Sequence, residues 1–297
     1  MTTKRKSAKK TTAAKKKSPA KRSPRAAFAV ATNEKKPTQE RAKAFAEAPL
    51  AAIESDETLQ AALNVLRDRS QPIKVRLAAL QSLQAASFSV LMFEPHREDY
   101  LATLREICDD PDPELRQRVL GILMREKDSY AQKRLLDGLQ DPEKALVPPE
   151  KGLQLLSYDV HADAYPIARE ILKQPPNPDA KREALRLLAA DASSAPVFEK
   201  LMRDKDEDRE IRQISAAAFQ ALKPKRFQEQ ARELLLDKKE YDDIQATALT
   251  ALTQFGNEKA VTKDEKLMKR VDELGKGKSA KVKKPAKQFL SRYGSEK

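Results

Sequence analysis

The chain has 297 residues, with 58 Lys and Arg against 45 Asp and Glu, for a formal net charge of +13. Only 7 Gly, no Trp and 5% aromatic residues exclude sandwiches, barrels and Gly-loop nucleotide folds, which need turn glycines and β-formers. A single cysteine, Cys108, rules out an intrachain disulfide and a Cys-rich zinc site, and two histidines, His96 and His161, leave little material for metal or triad chemistry.

The charge is unevenly spread. Residues 1–36 hold 13 basic residues and one acid, Glu34. Residues 259–297 hold 13 basic and five acidic residues, and the middle, 37–258, holds 32 basic against 39 acidic. An acidic body therefore lies between two basic ends.

Residues 1–36 are expected to be disordered, because Lys, Ala, Ser, Thr and Pro with one aromatic, Phe28, bury too little apolar surface to offset ordering entropy. Their charge is clustered at Lys4, Arg5, Lys6, Lys9, Lys10, Lys15, Lys16, Lys17, Lys21, Arg22 and Arg25. Such clusters displace counterions from nucleic acid, so DNA or RNA is the expected partner of the tail. The texture, with Ser18-Pro-Ala-Lys21 and Ser23-Pro-Arg25, resembles the tails of linker histones. In a nucleated cell Ser18 and Ser23 would be candidates for proline-directed phosphorylation, and in a bacterium plain spacers. The bland alternative is a solubilising tail.

Residues 37–54 read as a linker with a short helix over Thr38–Ala48. From Ser55 the apolar residues recur at helical spacing, and Asp/Pro-rich joints such as Asp109–Pro113 and Gln174–Pro178 separate the stretches. The longest uncharged run, Leu77–Phe93, has 17 residues and is broken by Gln81, Ser82, Gln84, Ser87 and Ser89, so no membrane span is expected. No secretory signal is evident, and an intracellular chain is expected.

A repeat search organises residues 55–292. Seven helices share a nine-residue register starting at Val75, Leu115, Pro148, Ala180, Ile211, Ile244 and Val282. The second position is basic in five of seven: Arg76, Arg116, Lys181, Arg212 and Lys283. The fifth is small in six of seven, and the ninth is always large and apolar. Positions five and nine lie on one helical face, where a small residue admits a neighbouring helix and a large one fills the space beside it. Another amphipathic stretch precedes each register helix, from Leu59–Leu66 to Leu267–Leu274. Each unit is a helical hairpin that must stack to bury its inner face. Asp112 before Pro113 and Asn177 before Pro178 have the sequence of helix caps. Pro285 is expected in a first turn, or to end its helix early.

This register, best seen in Val75-Arg-Leu-Ala-Ala-Leu-Gln-Ser-Leu83 and Ile211-Arg-Gln-Ile-Ser-Ala-Ala-Ala-Phe219, resembles the HEAT repeat, in particular the bacterial PBS-lyase HEAT-like type. The resemblance implies an all-α, right-handed solenoid of about seven hairpins, with residues 293–297 beyond it as a disordered C-terminus. Most members of the superfamily are scaffolds, and some are enzymes. Deoxyhypusine hydroxylases of this fold bind di-iron through His-Glu pairs, whereas His96 and His161 are followed by Arg97 and Ala162. HEAT-like DNA glycosylases work with tryptophans, and none is present. No residue points to a bilin. A Cys108–His161 nucleophile requires proximity that the sequence does not show, and Cys108 at the end of an apolar helix reads as a packed thiol.

The position-two residues admit two readings. They form either a phosphate-facing ladder or fasteners onto joint acids such as Asp112, Asp179 and Asp208, three or four residues earlier or from the next unit. The net acidic body favours fasteners. The lysines from Lys276 to Lys287 either cap the last hairpin or form a second anion patch. The expectation taken forward is a non-enzymatic scaffold, without catalytic residues, metal or cofactor. It would be monomeric, bind a protein partner on the solenoid surface, be held to DNA or RNA by the tail, and sit at a nucleoid or in a nucleus.

Overall fold

The structure, a computed structural model, describes residues 22–52, 55–159 and 162–294. Every regular element among the described residues is helical, and the chain is a HEAT-like α-solenoid. It divides into two compact units, residues 1–106 and 107–297.

The first unit contains α1 (Pro24–Ala31), α2 (Thr38–Glu47), α3 (Asp56–Arg67), α4 (Ile73–Ser87), the single turn α5 (Val90–Phe93) and α6 (Arg97–Glu106). Helix α1 lies inside the segment expected to be disordered. Its start is encoded locally, since the Ser23 hydroxyl accepts from the Ala26 amide at 3.3 Å and Pro24 takes the first helical position. Tertiary packing completes it. Ala27 and Ala31 are buried, and the Phe28 ring meets Phe45 of α2 edge to face, with centroids 6.1 Å apart. The apolar run Ala26–Ala31 is short, but it has a helix to cover it. The segment expected to be a short lead-in helix or a linker therefore holds the second half of a hairpin. Helix α2 then packs on α4, which pairs with α3.

The second unit contains α7 (Pro113–Arg125), α8 (Ser129–Gln140), α9 (Pro149–Leu156), α10 (Tyr165–Lys173), α11 (Pro178–Leu188), α12 (Ala195–Arg203), α13 (Arg209–Leu222), α14 (Pro224–Leu236), α15 (Asp242–Phe255), the short α16 (Glu258–Thr262), α17 (Glu265–Lys276) and α18 (Ala280–Tyr293). Helices α7, α9, α11, α13, α15 and α18 touch in succession, and α8, α10, α12, α14 and α17 each pair with the register helix that follows. The register explains the row. Position five is buried in all six of these helices, and position nine is buried from Leu123 to Leu252. In α18 Phe289 is buried and Leu290 only half-buried, a one-residue slip. At Gly152 a Cβ atom would stand 3.3 Å from Leu139 Cδ2, so this close approach of α9 to α8 favours the missing side chain.

Joint Asp and Asn side chains start the helices. Asp112 Oδ1 accepts from the Leu115 amide at 2.8 Å, Asp128 from Ala131 at 2.9 Å and Asn177 from Ala180 at 2.7 Å. Pro285 departs from expectation, because it is the sixth residue of α18 and the helix continues to Tyr293. Burial of Val282, Ala286, Phe289 and Tyr293, with the Tyr293 hydroxyl donating to the Leu252 carbonyl at 2.8 Å, outweighs the lost backbone bond.

Candidate interaction surfaces

Position two has a defined geometry. In α4 the Arg76 Nε donates to the Leu66 carbonyl at 2.9 Å, and in α13 the Arg212 Nε donates to the Met202 carbonyl at 3.0 Å. Each carbonyl lies ten residues back, in the last turn of the hairpin's first helix, where no intrahelical amide remains to satisfy it. The buried arginine thus ties the end of one helix to the start of the next. In α15 Gln245 does related work, donating to the Asp237 carbonyl at 2.9 Å. Arg116 donates to the carbonyls of Asp110, at 2.6 Å, and Leu146.

The acids named from the sequence are not the partners. Asp112 and Asp208 cap α7 and α13, and Asp179 pairs with Arg182. The carboxylates that meet position two come from the following joint instead: Glu207 lies 2.7 Å from Lys181 Nζ, and Glu240 lies 2.8 Å from Arg212 Nη2. An N-cap aspartate is already committed to amides of its own helix, so Asp112 and Asp208 are not free to pair with position two.

Around Arg212 the pairs merge into a network. The Arg212 and Glu240 side chains are 2% and 0% exposed, so both charges are desolvated. Lys205 also binds Glu240 and reaches Asp237 at 2.8 Å. Arg209 meets Asp243 at 2.8 Å, and the guanidinium carbons of Arg209 and Arg212 lie 5.0 and 5.4 Å from the Tyr241 ring centre. Burial pushes the Glu240 carboxyl up, but hydrogen bonds from Arg212 and Lys205 outweigh it and hold the group below the usual range. Asp243 is held low in the same way by Arg209, against its own burial.

One instance of this device was missed. Arg41 in α2 is buried, its Nε donates to the Ala31 carbonyl at 3.0 Å, again ten residues back, and its Nη2 donates to Gln71 at 2.7 Å. Arg41, Ala44 and Ala48 match positions two, five and nine, but alanine stands where the other helices carry a large residue. Phe45 fills the space and hid the match.

The last hairpin differs. From Gly275 to Gly294 the chain has seven basic residues and no acid. Lys276 pairs with Asp272 at 2.6 Å, and Lys281 reaches Asp243 at 3.5 Å. Lys278, Lys283, Lys284 and Lys287 are exposed and have no carboxylate opposite them among the described residues. Lys283 is in position two, but no carboxylate among the described residues meets it.

Of the tail cations, Arg22 pairs with Glu40 at 3.2 Å and Arg25 is exposed. Lys4, Arg5, Lys6, Lys9, Lys10, Lys15, Lys16, Lys17 and Lys21 lie outside the described residues, as do Ser18 and His161. His96 Nε2 lies 3.0 Å from Asp56. Cys108 is buried, and burial pushes its thiol up. Among the described residues no cluster of His, Cys, Asp and Glu has the makings of a metal site, and no helix is long and apolar enough to cross a membrane.

No family model matches the chain, and no curated protein matches it. Solved structures do. Human deoxyhypusine hydroxylase in complex with glycerol matches over 84% of this chain and 100% of its own, at 15% identity and a TM-score of 0.34. An engineered protein matches over 92% and 89%, at 15% identity and 0.44. The complex of CpcE and CpcF of phycocyanin lyase from Nostoc sp. PCC7120 matches over 95% and 99%, at 12% identity and 0.25. These likenesses concern the helical stack. They also correct one expectation: a hydroxylase and a lyase are among the matches, so the non-enzymatic scaffold read from the sequence, and its exclusion of catalysis, do not stand.

Proposed function

We propose that the protein binds the phosphodiester backbone of duplex nucleic acid through its C-terminal hairpin, α17–α18. The observation that carries this reading is the run Gly275–Gly294, with seven cations, no acid, and four lysines unopposed among the described residues. Interior cations such as Arg212 and Lys181 are neutralised by joint carboxylates and offer phosphate little attraction. Helix α18 has 14 residues and so is about 21 Å long, enough to run beside several phosphates spaced about 1.7 Å along a duplex axis. Among the described residues the exposed large apolar side chains, Phe88, Leu91, Tyr130, Tyr158 and Phe255, lie outside α17 and α18. The hairpin therefore has neither an anchor for lipid nor an aromatic platform for unpaired bases.

The N-terminal lysine clusters carry the same chemistry, and DNA or RNA is assigned to them as well. A place at a nucleoid, or in a nucleus, follows from that partner. The reading concerns binding; it assigns no reaction and excludes none.

Fluorescence anisotropy of a labelled duplex with the full chain tests it. The Lys283→Glu/Lys284→Glu/Lys287→Glu variant is expected to bind at least about tenfold more weakly at low salt, since sequence-independent affinity comes from neutralised phosphates. Unchanged affinity in that variant would contradict the reading. Anionic vesicles serve as the comparison: loss of vesicle binding with duplex binding intact would move this face to a membrane.

A further inference from the structure

The first unit presents a surface of the opposite kind. In a chain that is 35% charged, Leu77–Phe93 carries no charged side chain. It forms most of α4 and all of α5, and one side of it is bare: Gln81, Ala85, Phe88 and Leu91 are exposed, the last two at 79% and 93%. Beside it, between α2 and α4, runs a groove of about 270 Å³. Its floor includes the buried Phe45 and Leu50, and its walls include Ala42, Ala46, Ala78 and Ala85. Two large apolar side chains thus stand in water beside a hollow that small side chains leave unfilled.

We infer that this surface is a two-fold interface with a second copy of the chain, in which Phe88 and Leu91 of each copy enter the α2–α4 groove of the other. Projection and hollow lie on the same unit, since Ala85, in the groove wall, precedes Phe88 by one helical turn. A two-fold axis between them sets each projection over the other copy's hollow, and self-complementarity is what an isologous contact requires. The chemistry matches: alanine walls over a Phe and Leu floor, with Gln81 and Ser82 the polar side chains of the lining, leave space that a phenyl ring and an isobutyl group fill. Charge selects the same place. Two copies, each at +13, repel one another, and a contact confined to an uncharged run keeps those charges apart. This replaces the monomer expected from the sequence, and it does not depend on the nucleic-acid reading.

Sedimentation equilibrium of the full chain over a concentration series, in salt high enough to screen charge, tests the inference. The expected result is a monomer–dimer equilibrium that salt does not weaken. Phe88→Asp/Leu91→Asp should raise the dissociation constant at least about tenfold, as loss of central apolar anchors does. Ala85→Arg should do the same from the groove side, and Lys283→Glu should leave it unchanged. Phe88 and Leu91 are exposed, so their replacement leaves the core intact, and an unchanged thermal melt of the dilute protein verifies this. A chain monomeric at every concentration, or a dimer indifferent to both variants, overturns the inference.

Discussion

Arg212 and Lys283 occupy the same register position in two hairpins of one unit, and their surroundings are opposite. Arg212 is buried between the Met202 carbonyl behind it and Glu240 from the joint ahead. Lys283 is exposed, with no carboxylate opposite it among the described residues. A repeat protein builds each unit from one pattern, but the same position can be fastened in one hairpin and open to solvent in another. The cation that fastens hairpins at Arg212 is unneutralised at Lys283 among the described residues. The C-terminal hairpin adds to that charge with Lys278, Lys284 and Lys287.

The contrast can be broken most sharply at Arg212. Arg212→Ala leaves the Met202 carbonyl buried without its donor and the Glu240 carboxylate with Lys205 alone, and breaking a buried pair in this way costs up to about 3–5 kcal/mol. Urea denaturation reads this, and Glu240→Ala in the same chain should recover part of the loss rather than add to it. An effect near zero for Arg212→Ala would mean that the network contributes no fastening.

Next in size comes Pro285→Ala. Proline in a helix interior is disfavoured by up to about 3 kcal/mol relative to alanine. Because α18 passes through Pro285 and is held by Phe289 and Tyr293, the variant should melt at a higher temperature with the fold unchanged.

Acid probes the interior side of the comparison. Glu240, Asp237 and Asp243 are held below the usual carboxylate range in the folded chain. The unfolded chain therefore takes up these protons first as pH falls. Their contribution is complete at neutral pH and is lost as pH drops from about 5 through the folded values. Urea midpoints followed from neutral pH downward should decline over that range, and Glu240→Gln should flatten the decline. The smallest expected effect is that of Lys283→Ala, whose exposed side chain should change stability by no more than about 0.5 kcal/mol.

The hairpin register was legible because its signal is local and periodic: a small residue and a large one four apart, repeated from Ala79 and Leu83 onward. Two things were not legible. The hairpin of α1 and α2 was hidden because Ala48 stands where a large residue marks the other repeats, and because Phe28 makes its contact with a residue 17 positions away. The partners of position two were misassigned because Asp112 and Asp208 satisfy helix amides, while Glu207 and Glu240 reach back from the next joint. Such contacts across a repeat boundary depend on how hairpins stack, and spacing within one helix does not encode that.

The most direct test of the contrast is the salt dependence of duplex binding by the full chain and by Lys283→Ala/Lys284→Ala/Lys287→Ala. Each phosphate neutralised contributes about −0.9 to the log–log slope, so the variant should bind with a slope shallower by roughly 2 to 3. An identical slope in the two proteins would contradict the account, because the exposed lysines of α18 would then make no contact with phosphate.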